Sequence, residues 1–423
     1  MGGHYVHLAR ASALLAALLG LASCAEPVGV PGTLPSGSGG PQVLGAPGAP
    51  SVPPPAGNRV ALLAPLTGAY AAAAPSIVNA VKLGLGAGAT SLDVIDTGST
   101  APGAAAAAKQ AVADGAGIII GPLTDTEAAA VAPVTMPAHV EVLSLTSDSS
   151  EARPGLWTLG ITPAAQVQAL VQAASTQGHG TIAALLPQTP LGDAIGRALQ
   201  TDAASATVQT YAAGSFSSMN NALRSLSDYA GRRGPIDAQI KQLRGSHTVG
   251  GRQEAARLER TPIPPPPFTA LFVGETGSGL GELASLMPYY DVNPGPVLVL
   301  GPGLWAADPG AVSAAGFNGA LYAAPDPAAA AGFVASYSSA YGAPPSPLAA
   351  IAYDAGAIAR VATGTGVINQ AALTNPSGFA GADGVLVLDP DGNVRRGLAV
   401  FQVGAGGAQI VQPAPASLSS PGS

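Results

Sequence analysis

Gly121–Ala128 reads GPLTDTEA and follows Ala116–Ile120, AGIII. A short apolar run ending in three isoleucines has the length and β-branching of a buried strand. Gly-Pro then punctuates the chain, and Thr124-x-x-Glu127 has the spacing of a capping box at the start of an alanine-rich helix. Strand, sharp turn and helix start make the junction at which α/β proteins hold small ligands. Asp125 sits at that junction, so it either faces a ligand or helps to cap the helix.

The same unit recurs on both sides. Arg59–Ala64 (RVALLA), Ser91–Asp96 (SLDVID), Thr181–Leu186 (TIAALL), Ala206–Tyr211 (ATVQTY), Thr269–Val273 (TALFV) and Val297–Leu300 (VLVL) are short apolar or β-branched runs between alanine-rich stretches. Strands alternating with helices imply parallel sheets covered on both faces. So many units exceed one comfortable sheet, which predicts an α/β fold of two doubly wound, Rossmann-like lobes.

Composition narrows the function. Apolar residues make up 47% of the 423 positions, charged residues 10% and aromatics 4%, with a net charge of −7. A chain that is acidic as a whole, with no basic stripe over an otherwise basic chain and few rings for stacking bases, gives no reason to expect nucleic acid as a partner.

Ala11–Ser23 is apolar but shorter than the roughly 20 residues that span a bilayer. It suits the core of an export signal. Leu21-Ala22-Ser23-Cys24 resembles a bacterial lipobox, and Cys24 is the only cysteine, which excludes an internal disulfide. Residues 1–23 are therefore expected to be removed, and acylated Cys24 to anchor the chain on the periplasmic side of the envelope. By resemblance to lipoprotein sorting, Ala25 points to the outer membrane. Residues 24–57, rich in Pro and Gly, are expected to be a disordered tether, and 413–423 a loose tail.

One segment is basic. Arg224, Arg232, Arg233, Lys241, Arg244, Arg252, Arg257 and Arg260 stand against Asp228, Asp237, Glu254 and Glu259. IDAQIKQL and QEAARLER within it read as helices, so 224–260 is expected to be a helical basic insertion. It is either a solvated face or a docking surface for an acidic partner, with Arg232, Arg233, Lys241, Arg244, Arg252 and Arg257 as the candidate residues.

With these pieces in place, residues 58–412 resemble a type I periplasmic binding protein of the branched-chain amino-acid-binding group. The resemblance is carried by Pro65-Leu66-Thr67-Gly68, Ile119-Ile120-Gly121-Pro122, Phe317-Asn318-Gly319, Phe333 with Tyr337, and Tyr341-Gly342 before Pro344-Pro345. It continues through Ala352-Tyr353-Asp354-Ala355 to a closing hairpin from Phe379-Ala380-Gly381 through Asp389-Pro390-Asp391-Gly392 to Val400-Phe401. The resemblance implies two lobes, about 58–161 with 325–382 and 162–324 with 383–412, joined by three crossings around a ligand cleft. The cleft-lining positions it implies are Thr67, Thr124, Asp125, Thr146, Asp148, Leu191, Thr276 and Gly303.

This chain departs from the family's amino-acid site at several of these positions. Asp125 and Asp148 stand where hydroxyls and helix-start N–H groups would hold a ligand carboxylate, and would repel it instead. Gly303 occupies the place of the acid expected to clamp the amine, and Leu191 that of an aromatic. Together with the lipobox, the tether and the basic insertion, this resembles the penicillin-binding protein activator lipoproteins. That resemblance implies a non-catalytic protein that binds and activates a peptidoglycan synthase. The alternative is a solute-binding lipoprotein of an ABC transporter, with an amino-acid-like or amide ligand.

Enzymatic readings find no support in the motifs. Gly274–Gly279 (GETGSG) lacks the Gly-Lys-Ser/Thr of a phosphate loop. Asp389-x-Asp391-x-Asn393 begins like a calcium loop but has Val400 where the twelfth-position Glu belongs, and a hairpin turn explains it. The histidines are scattered, so no metal or cofactor is expected. Trp157, Trp305 and Tyr289-Tyr290 read as packing residues.

Overall fold

The computed structural model describes Gln42–Val43 and residues 59–418, apart from 87–91, 365–367 and 369. The signal segment, Cys24 and the chain's last five residues lie outside the described residues. Strand β1 (Gln42–Val43) falls within the expected tether and corrects that expectation there. It pairs in parallel with Phe379–Ala380, since even two residues between prolines can offer their backbone to an open sheet edge.

The first lobe opens with β2 (Arg59–Ala64), α1 (Ala74–Leu85), β3 (Leu92–Asp96), α2 (Ala101–Ala113), β4 (Ala116–Ile120), α3 (Asp125–Thr135), β5 (Glu141–Ser144) and β6 (Leu156–Thr158). Its five strands form a parallel sheet in the order β3-β2-β4-β5-β6. Helices on both faces explain why RVALLA and AGIII are nearly unbroken apolar runs. On one face Ala104, Ala107, Ala108 and Ala111 of α2 pack over Ile119 and Val142.

The chain leaves this lobe after Thr158 and builds the second with α4 (Pro163–Thr176), β7 (Ile182–Pro187), α5 (Pro190–Asp202), β8 (Thr207–Tyr211), α6 (Phe216–Leu226), α7 (Tyr229–Gly245) and α8 (Val249–Glu259). There follow β9 (Ala270–Val273), α9 (Ser278–Tyr289), β10 (Leu298–Gly301), α10 (Pro309–Ala314) and β11 (Leu321–Ala324). The basic insertion is thus a helical pair lying in the chain between β8 and β9 of the second sheet.

After Ala324 the chain returns with α11 (Pro327–Tyr341), α12 (Pro347–Gly364), α13 (Gln370–Leu373), β12 (Phe379–Gly381), β13 (Gly384–Leu388) and β14 (Val394–Arg396). Phe333, Tyr353, Ile358, Phe379, Leu386 and Val394 from this stretch share one core with Val60, Ile77 and Trp157 of the first lobe. Helices α1 and α12 press together through two glycines. A Cβ on Gly84 would lie 2.2 Å from Tyr353 O, and one on Gly356 would lie 2.5 Å from Val81 O.

The last crossing therefore differs from the expected boundary near residue 383. Strands β13 and β14 stay with the first lobe because Leu386, Leu388 and Val394 are buried in its core. Only β15 (Ala399–Gly404) and β16 (Gly407–Gln412) pass over to the second. They complete a seven-stranded sheet of order β16-β15-β11-β10-β9-β7-β8, with β15 and β16 as an antiparallel edge. The DPDGN turn accordingly joins β13 to β14 rather than reaching Val400-Phe401, and Asp389 pairs there with Arg395.

Candidate functional site

The strand tips of the first lobe are held by local hydrogen bonds. Thr124 caps α3: its hydroxyl accepts from Glu127 N at 3.3 Å, and Glu127 Oε2 accepts from Thr124 N at 3.1 Å. Asp125 is the first helical residue and has no side-chain hydrogen bond among the described residues. The cap is therefore Thr124, not Asp125, and the acid at 125 complements the positive end of the helix.

Thr67 donates its hydroxyl to Asp96 Oδ2 at 2.6 Å, while Thr67 N and Gly98 N reach Asp96 Oδ1 at 3.1 and 2.9 Å. The Thr67 hydroxyl, followed by the Gly98 N–H, holds the Asp96 carboxyl below its usual range. Thr146 is buried and accepts from Asp148 N at 3.1 Å. Asp148 in turn caps the short turn Ser149–Glu151, taking Ser150 N at 2.8 Å.

In the second lobe Leu191 lies in the first turn of α5, and Thr276 is exposed on the loop after β9. Gly303 N donates to Gln166 Oε1 at 2.6 Å, and a Cβ at Gly303 would fall 2.8 Å from Ala323 O and 3.0 Å from that same Gln166 oxygen. Only glycine permits this close approach. An acid nevertheless lies close by. Tyr211 donates its hydroxyl to Glu275 Oε1, and Trp305 Nε1 reaches Glu275 O at 3.0 Å. Burial first, and then the bond to Glu275, pushes the Tyr211 hydroxyl above its ordinary range.

A cavity of about 730 Å³ lies between the lobes near the crossings. The first lobe contributes Ser147–Ser150 and Asn393–Arg395. The second contributes Ile161–Gln166 and Gln168 at the start of α4, the inner face of α5 from Pro190 to Asp202, and Leu304. Of the positions expected in the cleft, Asp148 and Leu191 line this groove. Thr67, Thr124, Asp125, Thr146, Thr276 and Gly303 do not, although Leu304 beside Gly303 does.

Sequence reasoning missed Gln168, Arg197, Asp202 and Arg395. The available signal was the line Leu191, Ala194, Ala198 at helical spacing on α5, with Arg197 and Asp202 beside it and at its end. Arg395 forms a two-pronged pair with Asp389 at 2.8 and 3.0 Å. Arg197 has neither an ion pair nor a side-chain hydrogen bond among the described residues. Burial pushes the Asp202 carboxyl above its ordinary range.

Three of the eight cations of the basic insertion are paired with its own acids, and the segment keeps a net positive charge. Arg232 is buried, which corrects its assignment to a partner surface: it donates to Ser227 O, Pro264 O and Tyr290 O at 2.7, 2.9 and 2.7 Å. It locks the helical pair to the lobe. Arg233, Arg244 and Arg257 pair with Asp237, Glu259 and Glu254. Lys241 and Arg252 are exposed and have no acidic partner among the described residues. Trp157 and Trp305 are buried, and Tyr229, Tyr289 and Tyr290 form an edge-to-face and stacked cluster. Among the described residues no group of three or more His, Cys, Asp or Glu side chains could hold a metal ion.

Residues 58–408 match the family described as Periplasmic binding protein. No curated protein sequence is significantly similar to this one. Among solved structures, a putative branched-chain amino acid ABC transporter protein from Rhodospirillum rubrum is similar, with a TM-score of 0.61 and 20% identity over 84% of this chain and 100% of that one. A branched-chain amino acid ABC transporter ligand-binding protein from Burkholderia xenovorans has a TM-score of 0.56 and 16% identity over 85% and 96% of the two chains. A Desulfitobacterium hafniense substrate-binding protein in complex with Leu has 0.54 and 15% over 84% and 99%. At such identities the likeness is one of fold.

Proposed function

The chain belongs to the periplasmic binding protein family, and we propose that it captures an organic solute in the groove between its lobes and passes it to an ABC transporter. The family is one of ligand-binding rather than catalytic proteins, and membership implies a periplasmic location. The single observation that carries the reading is the cavity of about 730 Å³ with walls from both lobes. Its volume lies in the range of small-molecule sites, roughly 300–1,000 Å³. A ligand there touches both lobes, so it favours a closed arrangement by its differential affinity. Acylation of Cys24 would keep the captured solute near a membrane.

A thermal-shift screen of amino acids, amides, carboxylic acids and short peptides tests the reading. A ligand that binds the native state alone raises the melting temperature in a concentration-dependent way. No shift with any class, each supplied at millimolar concentration, would sink it.

A second reading is regulatory: the protein binds and activates a peptidoglycan synthase. In its favour is the helical pair α7–α8, inserted between β8 and β9 and bearing Lys241 and Arg252 without acidic partners among the described residues. Reversing both charges, Lys241→Glu with Arg252→Glu, leaves the Arg232 anchor untouched. Loss of binding to purified synthase would support this reading, and unchanged binding would remove that surface from it.

A further inference from the structure

The groove is long for a free amino acid. Its second-lobe wall follows α5 from Pro190 to Asp202, thirteen residues, which at 1.5 Å rise is about 18 Å. One residue of extended chain covers at most about 3.6 Å. The part between Leu191 and Arg197 alone spans about 9 Å of helix rise. A single amino acid would leave most of this length to water, whereas about three residues of extended chain cover the part from Leu191 to Arg197 and about five the whole wall.

The lining is chemically mixed in a way that suits a peptide. Ala194 and Ala198 present small apolar surface along the helix, where a side chain can rest without a deep pocket. Gln168 offers an amide donor and acceptor to a backbone laid between the lobes, and Asn393, whose Nδ2 already donates to Asp391 Oδ2 at 2.8 Å, offers its amide oxygen. Charge then sets the end group. Arg395 already holds Asp389, and Asp148 takes the backbone N–H of Ser150. Arg197 is the lining cation left without a partner among the described residues, and its planar fork matches a carboxylate.

We propose that this groove binds a peptide of three to five residues along α5, with the peptide's free C-terminal carboxylate on Arg197. The proposal rests on the solute-capture reading and names its ligand class. Ala194 and Ala198 set the preference for length, because any larger side chain there would block the track beyond Leu191.

The test is direct binding to the full-length protein of three probes: the free amino acids, an equimolar tetrapeptide mixture with free C-termini, and the same mixture amidated. The expected result is retention of free tetrapeptides, with affinity at least about tenfold above both other probes. Arg197→Gln should abolish the difference between free and amidated peptides. Ala194→Trp should block tetrapeptides, and Ala194→Leu, a milder change, should weaken them. Equal binding of free and amidated peptides, or binding of free amino acids alone, overturns the peptide assignment while leaving solute capture standing. Failure of all three probes overturns the assignment; solute capture itself falls only if the wider ligand screen is also silent.

Discussion

Arg396 Nη1 lies 3.5 Å from Asp354 Oδ2, and both side chains are buried where the lobes join. Arg396 Nε also donates to Leu159 O at 3.0 Å, while Asp354 Oδ1 accepts from Ala382 N at 2.6 Å. Leu159 stands just before the first crossing and Arg396 just before the last. One guanidinium thus ties two of the three hinge strands to the long helix α12. Opening this buried pair would strand a charge in the core.

Arg396→Ala should therefore lower stability by about 3–5 kcal/mol, the usual consequence of removing one partner of a buried pair. Arg396→Lys should recover only part, since a single ammonium cannot span Leu159 O and Asp354 in the same fork geometry. Urea denaturation midpoints measure both. A loss below about 1 kcal/mol for the alanine variant would mean that the hinge is held elsewhere.

Burial pushes the Asp354 carboxyl from 3.8 up to about 7; Arg396 opposes the shift, and the charge of Asp383 adds to it. The folded protein then holds this proton more tightly than the unfolded chain. Stability from this group is fully present below its ordinary value and is lost as pH rises toward about 7, at up to roughly 1.4 kcal/mol per pH unit. Denaturation followed across that window should show the slope. Asp354→Asn should flatten it in part, leaving the remainder from Asp383, Asp202 and Glu141, whose carboxyls burial also raises. An unchanged slope in that variant would assign the pH dependence to other groups.

At the opening of α3, Thr124→Ala removes the cap that accepts from Glu127 N and should reduce stability by about 1–2 kcal/mol. Asp125→Ala should change it by less than about 0.5 kcal/mol, because no hydrogen bond is lost. The reverse ranking in thermal unfolding would show that Asp125, not Thr124, organises this helix start.

Gly84→Ala should disturb the α1–α12 contact, where the added methyl would meet the Tyr353 carbonyl at 2.2 Å; overpacking of this kind costs about 1–3 kcal/mol. Gly364→Ala, with nothing within 4 Å of its Cβ position, is the control and should be neutral or slightly stabilising. Equal melting temperatures for the two variants would contradict the close helix approach.

Within the insertion, Arg232→Ala should lower stability by about 2 kcal/mol or more, since three carbonyls lose a charged donor. Arg252→Ala should stay within about 0.5 kcal/mol. Melting curves separate an anchoring arginine from a displayed one. A synthase-binding defect confined to Arg252→Ala would give the regulatory reading its first residue.

The α/β class and its two lobes were legible because each strand carries its own apolar run and each helix its own alanine stripe, which are local signals. The capping box at Thr124 and Glu127 was equally local. The groove was not legible: Leu191, Arg197 and Asn393 are brought together by two sheets and a hinge, and no spacing in the chain connects them. Arg232 shows the converse. In sequence it is one of eight basic residues in a charged segment, yet carbonyls from Pro264 and Tyr290, 32 and 58 residues away, bury it.

Residue order alone dictates the alternation of strand and helix, the helix starts and the basic character of 224–260. These depend on residues within a few positions of one another. Where the last crossing falls, which cations keep no partner and where the lobes leave space are settled only when the two sheets come together. Those outcomes depend on which distant side chains compete for the same partner, and that competition exists only once the chain has folded.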